Sequence, residues 1–155
     1  MERLELQTTV RTSTGNSPAR SLRRTGYIPA VLYGRKTESV LLSVNVKDLE
    51  QVFKHGNVFQ VILNLVIQNG KKITKAAMIK ELQTHPVSGS FIHIDFYEVD
   101  MKRQINVMVP VIAQGHPIGV ENGGMLNIVR RELELLCLPG DIPEAIEIDV
   151  TDLDI

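Results

Sequence analysis

Between Arg11 and Lys36 the chain carries six cations, Arg11, Arg20, Arg23, Arg24, Arg35 and Lys36, and no acid. A guanidinium is a planar fork that can donate two hydrogen bonds to one phosphate and keeps its charge at any physiological pH. Such a run is suited to a phosphate-bearing polymer, with a salt-dependent affinity through counterion release. A solvated basic surface would look the same in the sequence. A second set of groups differs in kind. His93 and Asp95 stand two residues apart, so on a strand they share one face. Histidine can donate from one ring nitrogen and accept at the other, and Tyr33 offers a hydroxyl and a ring. Asp95 repels phosphate. It fits the role of acceptor for an amino or hydroxyl proton, or of the group that orients His93. A hydrogen-bonded surface pair is the plain alternative for His93 and Asp95, and a barrel-edge aromatic with its hydroxyl in water is the alternative for Tyr33.

Other chemistries are weaker. His85, His93 and Asp95 are legitimate metal ligands by type, but their spacing matches no compact metal motif. Glu132, Glu134, Glu147 and Asp149 could suggest a carboxylate hydrolase. They alternate with apolar residues, however, which is the solvent face of half-buried strands. Gly123-Gly124 is followed by neither Lys-Ser/Thr nor a helix signal, so it reads as a turn and not as a phosphate loop. No Ser/His/Asp or Cys/His arrangement stands out. Cys137 is the single cysteine, which excludes an internal disulfide and reads as a small apolar residue in a reducing compartment. No enzyme, cofactor, metal or small-molecule substrate is expected.

The elements that must position these groups are mostly strands. Leu4, Leu6, Thr8 and Val10 alternate with polar residues, which predicts a strand. Thr12–Pro18 is polar loop. Ser17-Pro18 resembles a helix cap and first position, and Gly26 a stop, so a short helix over Pro18–Thr25 would carry Arg20, Arg23 and Arg24 on one side. Strands follow at Ile28–Tyr33 and Ser39–Val46, then a helix over Val46–His55 with Leu49, Val52 and Phe53 as its apolar face. Phe59–Gln68 and Lys71–Gln83 flank Asn69-Gly70, a strong hairpin signal. Lys71, Lys72 and Lys75 beside that turn are explained by solubility or edge protection as well as by phosphate binding. After a turn at His85–Gly89, Phe91–Val99 alternates again, with Ile92, Ile94 and Phe96 on the core side. Further on, strands are expected around Ile105–Val111, within Leu126–Leu138 and at Ile146–Val150. A loop is expected over Gln114–Gly124.

Charge divides the chain. Residues 1–97 hold thirteen Lys or Arg against seven Asp or Glu, whereas residues 98–155 hold four against eleven. A formal net charge of −1 hides this. Two domains are therefore expected, 1–97 and 98–155, of which the first alone suits a polyanion. The acidic piece would face solvent or basic proteins. Composition is 43% hydrophobic and 23% charged, enough for a packed core. The start, MERLELQTTVRT, has no apolar run after a basic beginning, and no apolar stretch approaches the ~20 residues that span a bilayer. A soluble, cytoplasmic protein is expected.

Three stretches carry a family likeness. They are Arg20-xx-Arg23-Arg24-x-Gly26-x-Ile28-Pro29-Ala30-Val31-Leu32-Tyr33-Gly34; His85-Pro86-Val87 with His93-Ile94-Asp95-Phe96; and Pro117-x-Gly119-Val120-xx-Gly123-Gly124-x-Leu126 leading to Leu138-Pro139-Gly140-Asp141-Ile142-Pro143. Together they resemble the bacterial large-subunit ribosomal protein family that binds 5S rRNA, in its two-domain form, also called general stress protein Ctc. The resemblance runs the length of the chain. It implies a mainly β protein, with an N-terminal β-barrel carrying two short helices and an all-β C-terminal domain. It also implies a ribosomal role without catalysis. Arg11, Arg20, Arg23, Tyr33, His93 and Asp95 map onto the family's RNA-contacting positions. Arg24, Lys80 and Gln83 join them as candidates, as does Asn16, which stands where members often carry Lys. Two-domain members continue past Ile155, so a truncated second domain is expected. The rival readings are a stress-related RNA-binding regulator with another target, such as an mRNA or tRNA, and a small hydrolase using His93 and Asp95.

Overall fold

The computed structural model describes residues 3–36 and 38–154. The protein is mainly β and divides into two compact units, 1–103 and 104–155.

In the first unit six strands form a closed barrel: β1 (Leu4–Val10), β2 (Tyr27–Tyr33), β3 (Val40–Asn45), β4 (Ile62–Asn69), β5 (Lys71–Thr84) and β6 (Phe91–Glu98), in the order β1-β3-β2-β6-β5-β4. The pairs β1–β4 and β2–β6 are parallel and the other neighbours antiparallel. Period-two alternation sends Leu6, Ile28, Leu32, Leu42, Val44, Leu63, Leu65, Ile79, Ile94 and Phe96 inward, each no more than 1% exposed. Closure removes both sheet edges, whose unpaired backbone groups would otherwise be open to aggregation. Thr8 is the most buried polar residue of the unit among those described, ahead of Gln60 and Ser43. It lies on the closing β1–β4 pair, and its hydroxyl donates to the Val66 carbonyl at 3.1 Å.

Two helices complete the unit. Helix α1 (Asn16–Arg24) begins earlier than the Ser17-Pro18 signal indicates. Gly15, at φ +104, occupies the cap and Pro18 becomes the third helical residue, where the missing N–H costs no bond. Helix α2 (Val46–Phe53) is capped by Asn45, whose side-chain oxygen accepts from the Lys47 N–H at 2.9 Å. Its Leu49 and Val52 are buried, and Phe53 stacks on Phe91 at 5.4 Å.

Among the barrel strands the start of β4 moves furthest from expectation. β4 starts at Ile62, because the segment before it turns: the Asn57 side chain accepts from the Phe59 N–H, and its carbonyl accepts from Gln60. The β4–β5 hairpin pairs Asn69 with Lys71 across Gly70, which alone takes a positive φ of 68. A two-residue turn with both φ values positive is thereby excluded.

The second unit is a three-stranded sheet, order β8-β7-β9, made of β7 (Ile105–Gln114), β8 (Glu132–Cys137) and β9 (Ile146–Asp149). β7 pairs antiparallel with β8 and parallel with β9. The expected strand within Leu126–Leu138 is confined to Glu132–Cys137. The expected loop after β7 contains one helical turn, α3 (Ile118–Glu121). Val107, Val109 and Ile142 are buried. Among the described residues no helix is long and apolar enough to cross a membrane.

Candidate nucleic-acid interface

The register brings three of the sequence candidates, Gln83, His93 and Asp95, to one band of the barrel, with Arg11 at its other end. Val10, Leu42, Ala30, Ile94 and Leu82 are successive partners across β1, β3, β2, β6 and β5. Leu42, Ala30 and Ile94 are wholly buried and mark the inward row. The residues on either side of this row point outward. Those include Val31 on β2, His93 and Asp95 on β6, and Glu81 and Gln83 on β5, with Arg11 directly after β1. With strands about 4.8 Å apart, the band from β1 to β5 spans roughly 20 Å.

Arg11 and Arg23 are held by the backbone. The Nε–H of Arg11 donates to the Leu42 carbonyl at 2.9 Å and its Nη1 donates to Ser13 O at 3.3 Å. Burial pulls the Arg11 pKa below its ordinary value, but an arginine remains charged. The Nε–H of Arg23 donates to the Ile92 carbonyl at 3.1 Å, which ties the last turn of α1 to β6 beside His93. Among the described residues the terminal nitrogens of Arg23 have no protein partner. Arg23 is thus fixed through Nε while its terminal nitrogens stay available, and Arg11 is held at both Nε and Nη1, so little side-chain entropy remains to be lost on binding an anion. Arg20 and Arg24 are exposed on the same helix, and Asn16 is its exposed first residue. Arg35 and Lys36 are exposed after β2.

The β6–β5 end of the band carries the opposite sign. His93 Nδ1 lies 2.9 Å from Asp95 Oδ1. With Nδ1–H donated to the carboxylate, neutral His93 keeps Nε2 as an acceptor. Gln83 is the partner of His93 across β5–β6, and Glu81 is the partner of Asp95. Two carboxylates directly opposite one another disfavour the pairing, so this arrangement is not explained by barrel stability. Tyr33 meets Tyr97 edge-to-face at 5.8 Å and 74°. Its phenol pKa is raised, first by burial, then by the charges of Asp95 and Glu81, then by Tyr97. Lys80 is exposed where the β5–β6 register slips between Ile79 and Glu81.

The neighbouring turn is self-contained. His85 Nδ1 accepts from the Val87 and Ser88 N–H groups at 3.3 and 3.2 Å, and the His85 N–H donates to Ser90 O at 2.8 Å. His85 therefore shapes the turn. Among the described residues no group of three or more His, Cys, Asp or Glu could hold a metal ion.

Glu81 and Tyr97 were not among the sequence candidates. Both lie two residues from a candidate on the same strand, Gln83 and Asp95, so period-two counting alone would have found them. The Ile92 and Leu42 carbonyls could not be found that way, because main-chain acceptors leave no mark in a sequence.

Comparison with known proteins finds two family matches along the chain. Residues 6–96 match the Ribosomal L25p family, and residues 104–155 match the family described as Ribosomal protein TL5, C-terminal domain. A protein of Desulfatibacillum aliphaticivorans is 52% identical over the whole chain, which spans 71% of that relative. One of Syntrophobacter fumaroxidans is 45% identical over 98% of this chain and 77% of its own length. One of Syntrophus aciditrophicus is 41% identical over the whole chain and 78% of its own length. All three are named large ribosomal subunit protein bL25. With its barrel matched almost from end to end and its second unit matched separately, the chain belongs to the ribosomal L25p family.

Proposed function

We propose that the barrel, residues 1–97, binds 5S rRNA and helps fix it in the large ribosomal subunit, while the acidic unit stays off the RNA and meets basic proteins. Family membership makes the chain a structural ribosomal protein, cytoplasmic and ribosome-associated, and not an enzyme. The choice of 5S rRNA comes from the family likeness of the Arg20–Gly34 and His85–Phe96 stretches.

One observation carries the reading: two backbone-anchored arginines accompany a band whose β6–β5 end holds acceptors instead of cations. Double-helical RNA has a wide, shallow minor groove that displays 2′-hydroxyls and base edges between two phosphate strands. Arg11 and Arg23, with Arg20 and Arg24 on α1, suit the phosphates. Tyr33, Gln83, His93 and Asp95 suit the hydroxyls and amino groups between them. Asn16 and Lys80 lie at the margins. A polyanion such as heparin offers the first kind of contact without the second.

A gel shift of the full chain with purified 5S rRNA, tRNA and heparin, at two salt concentrations, tests this. 5S rRNA should bind tightest. Arg20→Ala should weaken binding and reduce the salt slope by about 0.7–0.9. His93→Ala should weaken binding with the slope kept. Equal affinity for tRNA would favour the stress-related regulator, and equal slopes for wild type and Arg20→Ala would reject the phosphate role of Arg20.

A further inference from the structure

We propose that the outward face of β7 in the acidic unit is a docking site for a cationic amphipathic segment of another protein, with apolar side chains along its middle and Lys or Arg along both borders. The register shows why. Met108, Pro110 and Ile112 point to one face of the sheet, at successive steps of about 6.8 Å. Met108 is 51% exposed and Ile112 48%. Each of the three has a glutamate as its cross-strand neighbour: Glu134 beside Met108, Glu132 beside Pro110, and Glu147 beside Ile112. The first two glutamates lie on β8 and the third on β9, so carboxylates border the apolar stripe on both flanks.

A solvent face needs neither feature. Alternation asks only for polar residues outward, which the glutamates supply, yet the central strand places its own apolar residues there. The opposite face already takes Val107 and Val109, which are buried, so the stripe is not a second view of the core. The charge selects the class of partner. Residues 104–155 hold two Lys or Arg against nine Asp or Glu. A phosphate backbone would be repelled along the whole stripe, and a neutral apolar partner would strand Glu132 and Glu147, although Glu134 already accepts from the Asn106 amide at 2.9 Å. A cationic segment satisfies both, because Lys and Arg lay their stems along apolar surface while keeping their charge at its edge. The inference rests on the ribosomal setting proposed above only for where such a partner is met.

The test uses the full chain and a labelled synthetic 18-residue peptide of Leu and Lys in helical amphipathic order, with a scrambled peptide of the same composition. The ordered peptide should bind at least tenfold tighter than the scrambled one. Ile112→Asp, and separately the pair Glu132→Lys with Glu147→Lys, should each weaken it at least tenfold. Glu50→Lys on α2 should change nothing. Amide exchange of β7 confirms that each variant keeps its sheet. Equal binding of the two peptides, or no effect of Ile112→Asp, would overturn the inference by reducing it to unspecific charge attraction. A photo-crosslinker at position 112 in ribosome-bound chain should label Lys/Arg-rich protein segments, and labelling mainly of RNA would also overturn it. The peptide assay contains no RNA, so a failure of the 5S rRNA assignment is read separately.

Discussion

The barrel and the three-stranded sheet use the same building material, runs of Val, Ile and Leu alternating with polar residues, and reach opposite outcomes. Twenty of the 23 buried apolar residues described lie in the barrel unit. Twelve of the sixteen exposed large apolar residues lie in the smaller sheet unit, among them Met125, Val129 and Leu136. The difference is topological. Six strands closed on themselves give every inward residue a wall on all sides. Three strands with two open edges shelter only the middle of one face, where Val107 and Val109 sit. Alternation therefore specifies which side of a strand is apolar, and closure decides whether that side becomes a core. The charges follow the same division. The unit that buries its apolar surface presents arginines, and the unit that exposes it presents carboxylates.

The sharpest way to break the comparison is to remove the barrel's largest fully buried side chain. Phe96→Ala should cost about 3–5 kcal/mol, the usual loss for an aromatic truncated in a closed core. Val109→Ala removes fewer atoms from a thinner layer and should cost less. Denaturant unfolding followed by amide exchange would check both. A comparable loss at the two sites would mean that the sheet is as closed as the barrel.

Gly115 probes the sheet on its own terms. It follows β7 with φ +88, and a β-carbon there would collide with Thr151 Oγ1 and lie 3.3 Å from Asp149 Oδ1. Asp149 in turn accepts from both the Thr151 N–H and its hydroxyl. Gly115→Ala should therefore cost roughly 1–3 kcal/mol of local stability and loosen β9. The expected readout is faster amide exchange at Val150, whose N–H donates to Gln114 O. Barrel amides should be unaffected. Unchanged exchange at Val150 would show that the turn yields without strain.

A smaller effect separates the units by function. Arg23→Lys keeps the charge but loses the Nε–H that Arg23 directs to the Ile92 carbonyl. Binding of 5S rRNA should weaken about tenfold, or about 1.4 kcal/mol, with the salt slope kept. The same change at Arg130, in the acidic unit, should leave it unaltered. Equal effects at both positions would remove the distinction between anchored and merely present cations.

These predictions also mark what could be read from the sequence. The barrel strands announce themselves by alternation in β1 and β6 and by β-branched apolar runs bounded by turn residues elsewhere. His93 and Asp95 could be placed on one face from their spacing alone, and they form the 2.9 Å pair. The α1 start was harder. Ser17-Pro18 is a sound local signal, but Gly15 supplies a cap conformation two residues earlier. β8 is shorter than its apolar surroundings suggest, because Met125, Ile128 and Val129 are apolar without being paired in the sheet. The anchoring of Arg11 and Arg23 was out of reach, since it depends on carbonyls 31 and 69 residues away.

The smallest expected effects lie at opposite ends of the pH scale. Tyr33, in the barrel, has a pKa raised above its ordinary 10.0 by burial and by Asp95 and Glu81. Folding thus favours the protonated phenol. Its contribution is fully present below pH 10.0 and is lost as pH rises through the raised native value. Asp149, in the sheet, has a pKa lowered below its ordinary 3.8 by the hydrogen bonds from the Thr151 hydroxyl and N–H. Its contribution is present above pH 3.8 and is lost as pH falls through the lowered native value. Tyr33→Phe should accordingly flatten the alkaline limb of barrel stability and leave the acid limb of the sheet alone. Asp149→Asn should do the reverse. Stability followed separately for the two units by pH-resolved amide exchange checks this, and a Tyr33→Phe variant with an unchanged alkaline limb would show that the carboxylate pair does not act on the phenol. Because Asp95 and Glu81 cause part of that shift, Glu81→Gln should flatten the same limb by a smaller amount, which ties the pH response of the barrel to the band proposed to face RNA.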